Sequence, residues 1–179
     1  ISDICMELVR NGFQDIVLLL GHAGTDNRIA LTNSLQMLLK RNPALQGITL
    51  SLVPVWELSP TWMECFAMQP EHDFHAGMAE TSLMLYWKPE LVRGNCVMDE
   101  PEVSRMMRSD QDWFEVLEKP VDHRFVVPHN FQRKEIEVGV MGFPERASRE
   151  LGEKICQEMV DGLVAYIDLL SAERSKPDR

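Results

Sequence analysis

Asp15-Ile-Val-Leu-Leu-Leu-Gly-His-Ala-Gly-Thr-Asp-Asn27 is the stretch whose reading decides the fold. Ile16 to Leu20 is an unbroken apolar run between Gly12 and Gly21, and its length predicts a strand buried on both faces. Two glycines around His22 then allow a tight turn, and Thr25 or Asp26 can cap the helix that follows. His22 would stand at the carboxyl end of a parallel strand, where open α/β sheets place their ligand sites. It is either a ligand to something bound there or a turn residue.

Working outward, Ser2 to Gly12 has the spacing of an amphipathic helix, and a helix reaching about Lys40 leads to Asn42-Pro43. Ile48 to Val55 predicts a second strand, giving a right-handed parallel βαβ unit. The connection from Trp56 to Phe74 is long and aromatic, which suits a site, an interface or a cluster beneath a loop. Ala76 to Trp87 is helical in pattern and ends before Pro89. His75 would lie near its start with Glu80 about one turn in, either facing one pocket or capping the helix. Short helices are expected at Pro101 to Met107 and Asp112 to Leu117, with His123 and His129 on loops or the surface. Glu135 to Met141 alternates like a strand, and Arg146 to Leu170 carries the longest apolar helical stripe. Residues 1–170 are expected to form one α/β domain, and residues 171–179 a frayed polar tail.

The 179 residues are 45% hydrophobic and 26% charged, an ordinary globular composition. A net charge of -10 argues against nucleic acid or an anionic membrane as partner. No run is long enough to span a bilayer. Cys5, Cys65, Cys96 and Cys156 show no paired spacing and predict buried free thiols in a reducing cytoplasm. No Gly-x-Ser-x-Gly elbow occurs, which disfavours a serine hydrolase. The chain opens on Ile1 inside a helical pattern, so an upstream part is expected to be missing, cleaved or carried on another chain.

Three segments in order resemble the creatininase family of metal-dependent amidohydrolases. They are Asn11-Gly-Phe with Ile16 to Gly24, His75-Ala-Gly-Met-Ala-Glu-Thr-Ser82, and Gly139-Val-Met-Gly-Phe-Pro144 with Ala147-Ser148 and Gly152. The resemblance implies a three-layer α/β/α fold around a mostly parallel sheet, here lacking its N-terminal part. It implies two divalent metal ions, zinc or manganese, with His22 and Glu80 as metal residues and His75 as the catalytic proton-transfer group. It places Ala23, Trp56 and His72 at the substrate. It further implies a small-molecule substrate and a homo-oligomer, commonly a hexamer; the aromatic residues Trp56, Trp62, Phe66 and Trp113 exceed what one small pocket needs.

The departures bear on substrate. Gly24 stands where creatininase itself has a ligand Glu, Ala23 where it has a substrate-contacting Tyr, and Thr25 where much of the family has Asn. The resemblance therefore implies hydrolysis of a small cyclic amide or cyclic ketone through a metal-activated water, with creatinine itself disfavoured. His72 to Ser82 is also similar to the branch that hydrolyses the cyclic ketone 3-dehydro-scyllo-inosose through C–C cleavage. A third reading is a non-catalytic fragment that needs a companion chain. A positive helix end would lower the pKa of His75 and keep it neutral.

Overall fold

The computed structural model describes residues 1–22 and 24–176. Ala23 and residues 177–179, the end of the expected tail, lie outside the described residues. In chain order the elements are α1 (Ser2–Arg10), β1 (Asp15–Leu20), α2 (Thr25–Arg41), β2 (Thr49–Pro54), α3 (Pro60–Phe66), α4 (Met78–Trp87), α5 (Pro101–Ser109), β3 (Glu115–Glu118), β4 (His129–Gln132) and α6 (Arg149–Arg174). They divide into two compact units, one of Ile1–Ser59 with Met159 onward, the other Pro60–Glu158.

In the first unit β1 and β2 pair in parallel, from Asp15 opposite Thr49 to Leu20 opposite Pro54, with α2 as the crossover. Alternation sends Ile16, Leu18, Leu50 and Leu52 to one face, where they pack with Cys5 of α1 and Leu35 and Leu38 of α2. On the other face the Ser51 hydroxyl meets the Tyr166 hydroxyl of α6 at 2.6 Å. Helices thus cover both faces, the layered α/β arrangement expected. Burial of β1 on both faces does not hold throughout: Leu19 is 52% exposed, because the α6 side of the strand is covered only in part. α6 runs past Leu170 to Arg174, whose guanidinium grips the Asp15 carboxylate and donates to the Gln14 carbonyl at 3.0 Å. The Arg174 bond holds Asp15 below the usual carboxylate range.

In the second unit Ala79, Ser82 and Leu83 of α4 are buried. The Ser148 amide donates to Ser82 Oγ at 3.0 Å, and a Cβ at Gly152 would fall 1.9 Å from the Ser82 carbonyl oxygen. Gly152 is therefore needed for α6 to approach α4. Thr61 at the start of α3 donates through both its amide and its hydroxyl to the Glu158 carboxylate. A second core joins Met107, Ile136 and Met141 with Phe74, Trp113 and Phe114.

Three sequence expectations change here. The connection after Trp56 holds helix α3. The segment around Glu115 is the first strand of an antiparallel hairpin, not a helix. Glu135 to Met141 forms no strand, because the Asp99 carboxylate accepts the amides of Glu137, Val138 and Gly139 at 2.6–2.9 Å. Those donors are then unavailable to a ladder. Among the described residues no helix is long and apolar enough to cross a membrane. Of the free cysteines, Cys5 and Cys65 are buried as expected, Cys156 is half-buried and Cys96 is exposed.

Candidate active site

The richest chemistry lies on the turn His72–Gly77 and the first turn of α4. The usual cap position of α4 is occupied by Gly77, which has no side chain to offer its amides. Asp73 supplies the acceptor instead. Its carboxylate is 1% exposed and takes the amides of Met78 at 2.7 Å, Ala79 at 3.0 Å and Phe143 at 2.9 Å. The Phe74 amide donates to the Met141 carbonyl and the Met141 amide to the His75 carbonyl, both at 2.8 Å. Ala76, at φ 52°, takes the left-handed conformation that swings the chain into α4. For a residue with a Cβ that conformation costs about 1–2 kcal/mol.

The turn leaves the His75 side chain 70% exposed, with Nδ1 3.4 Å from Glu80 Oε2. The same oxygen accepts the Ala76 amide at 2.7 Å. Glu80 therefore closes the turn and pairs with the imidazole. The Glu80 hydrogen bond raises the His75 pKa above the ordinary 6.5, against a smaller opposing effect of burial. This reverses the sequence expectation. A carboxylate within hydrogen-bonding range outweighs the positive helix end, because a full charge acts more strongly than the partial charge of a terminus.

His72 is half-buried, three residues before His75. Its Nδ1 lies 2.9 Å from the Phe66 carbonyl oxygen, and its ring stacks on Phe74 with centroids 5.1 Å apart. Arg108 pairs with Glu71 at 2.6 Å, and the guanidinium groups of Arg108 and Arg146 lie over the Phe143 ring at 4.8 and 4.1 Å.

In the first unit His22 and Trp56 each stand two residues past the paired strand ends Leu20 and Pro54. Both thus sit at the carboxyl end of the parallel pair, the position that fold topology reserves for ligands. His22 is exposed, and a Cβ at Gly24 would come within 2.5 Å of its Nε2, so this motif glycine makes room for the ring. Trp56 is half-buried in the turn Val55–Leu58. Ala23 lies outside the described residues.

Imidazole and carboxylate are suitable donors for zinc or manganese. Among the described residues, however, no group of three or more His, Cys, Asp or Glu side chains could hold a metal ion. The donor chemistry fits while the donor number does not.

Asp73 was legible only as part of the motif His72-Asp-Phe-His75. Its signal was an acid placed between aromatic residues just ahead of a glycine-led helix. Asp99 carried no signal, since its partners are amides that lie nearly forty residues away in the chain.

The creatininase family, described as creatinine amidohydrolase, matches residues 1–167. This chain belongs to that family. A creatinine amidohydrolase of Pseudomonas putida is 28% identical over 175 residues, covering 93% of this chain and 60% of its own length. A creatininase crystal structure superposes with a TM-score of 0.65 at 24% identity, covering 98% of this chain and 62% of that one. A manganese form gives 0.64 at 25% identity and a Zn-Zn variant 0.63 at 26%, each covering 93% of this chain and 60% of its own. The chain thus spans about three-fifths of the length of these relatives.

Proposed function

We propose that this chain carries the proton-transfer part of a metal-dependent hydrolase that opens a small cyclic amide. The observation behind the reading is the His75–Glu80 pair at the start of α4, in a chain of the creatininase family. Two creatininases similar in fold are manganese and zinc forms, which supports a divalent metal here. His22 and Glu80 are the proposed metal residues on this chain. No group of three or more His, Cys, Asp or Glu among the described residues could hold an ion by itself, so the proposal includes further ligands carried on an upstream segment or a companion chain. When bound, such ions polarise a carbonyl and make hydroxide available at neutral pH.

Cleaving an amide C–N bond needs a proton on the departing nitrogen. Glu80 holds Nδ1–H of His75 and favours the imidazolium, leaving Nε2–H to be given to that nitrogen. His75 is therefore a general acid in this step, not the neutral base expected from the helix terminus. Glu80 acts first as the partner of His75. Ala23, Trp56 and His72 are the proposed substrate contacts, and the four free cysteines suit a reducing cytoplasm.

We extend the proposal to assembly into a homo-oligomer. Trp56, Trp62, Phe66 and Trp113, on which the sequence argument rested, are half-buried. The support comes instead from the β3–β4 hairpin and its connection, where Leu117, Val121, Phe125, Val127 and Phe131 are each at least 50% exposed.

The test is turnover by the complete protein, stripped of metal and then given manganese or zinc. Cyclic amides, creatinine and a cyclic inositol ketone are the substrates. Metal-restored opening of a cyclic amide is expected. Turnover of the ketone alone would replace the substrate, and metal-independent turnover would contradict the reading. His22→Ala should lower metal content by elemental analysis, whereas unchanged content removes His22 from the ligand set.

A further inference from the structure

Helix α4 is capped from a distance. An ordinary cap residue sits directly before the helix and takes one or two of its free amides. Here the acceptor, Asp73, lies five residues before Met78, so its bonds span the His75–Ala76–Gly77 turn. The turn that carries His75 is enclosed between the carboxylate and the helix. The same carboxylate draws in a third backbone segment through the Phe143 amide.

The surrounding glycines fit this carboxylate closely. A Cβ at Gly77 would fall 2.2 Å from Asp73 Oδ1, and one at Gly142 would fall 2.5 Å from the same atom and 2.4 Å from the Gly77 Cα. Gly77 belongs to the second motif of the sequence and Gly142 to the third. Both make room for one acid. Phe74 and His75 are then fixed on their other side by the paired bonds with Met141.

We infer that Asp73 is the positioning residue of the site: by accepting the amides of Met78, Ala79 and Phe143 it fixes the turn that holds His75 and Glu80 3.4 Å apart. It sets the backbone from which both project. The inference rests on the proposed proton-transfer role for the claim that placement matters to turnover, and on geometry alone for the placement itself.

The Ala76 amide, which donates to Glu80, is the local reporter of that placement. NMR of the complete protein would compare its amide resonance in wild type, Asp73→Asn and Glu80→Ala, the last of which removes the acceptor. The asparagine keeps the shape but turns an NH2 group toward one of the amides that the carboxylate accepts. If Asp73 positions the pair, the Ala76 amide of Asp73→Asn moves most of the way to its place in Glu80→Ala, and its hydrogen exchange speeds by about tenfold or more. An Ala76 amide that stays put, while Met78, Ala79 and Phe143 alone exchange faster, would make Asp73 a helix cap only and overturn the inference. Should Asp73→Asn not fold, Asp73→Ser, which keeps one short acceptor and adds no bulk against Gly77 or Gly142, is read the same way. Kinetics separate this from the reading of function. Asp73→Asn should lower kcat in wild type and leave it unchanged in a His75→Ala background, while an equal loss in both backgrounds indicates a structural role. A protein without turnover would overturn the functional reading and leave the Ala76 result to decide the inference.

Discussion

Replacing His75 with alanine in the complete protein is expected to lower kcat by about 10²- to 10⁴-fold, the range of one positioned proton-transfer group. The fold should survive. The side chain is 70% exposed, and the backbone carbonyl that accepts the Met141 amide remains in the alanine variant. Metal content should also survive, since in this account the ring moves a proton and does not bind metal. Steady-state kinetics and elemental analysis on the same preparation check both halves. Near-normal turnover would reduce His75 to a turn residue, and lost metal would make it a ligand.

Asp99→Ala is expected to cost about 3 kcal/mol of stability, measured by urea unfolding. The carboxylate is 7% exposed and accepts three amides in a row, from Glu137, Val138 and Gly139. Alanine leaves those donors without a partner at the edge of the Met107–Ile136–Met141 core, although the segment recovers part of the loss from water. Burial pushes the Asp99 pKa up, but the three amides together push it further down, so the net shift is downward from 3.8. A lowered folded-state value means that the native state favours the ionised form. This contribution is therefore fully present above about pH 3.8 and is lost as pH falls through the folded value. Wild type and Asp99→Ala should converge in stability below that window. Equal stability of the two proteins at neutral pH would contradict the assignment.

The parts of the fold legible in the sequence were those built by local pattern. The apolar run Ile16 to Leu20 and the helical stripes each follow from spacing within a few residues. The hairpin at Glu115 and the irregular segment at Glu137 were not legible, because their structure depends on a distant strand and a distant carboxylate. Alternation between Glu135 and Met141 looked like a strand, yet Asp99 took the amides that a strand needs. At the site, the sequence brought out His75 and Glu80 through their shared motif. It missed the sense of the His75 shift, since that depends on the Nδ1-to-Oε2 distance and not on the identity of the residues.

In the proposed reaction His75 acts as an acid held protonated by Glu80. Glu80→Gln tests it most directly, because glutamine keeps an acceptor for the Ala76 amide and removes the charge. The measurement is the pH dependence of kcat for wild type and Glu80→Gln on a cyclic amide that the complete protein hydrolyses. In wild type, activity should fall as pH rises through a His75 value above 6.5, and in Glu80→Gln that alkaline limb should move toward 6.5. An alkaline limb that does not move, or a change confined to the acidic limb, would contradict the account.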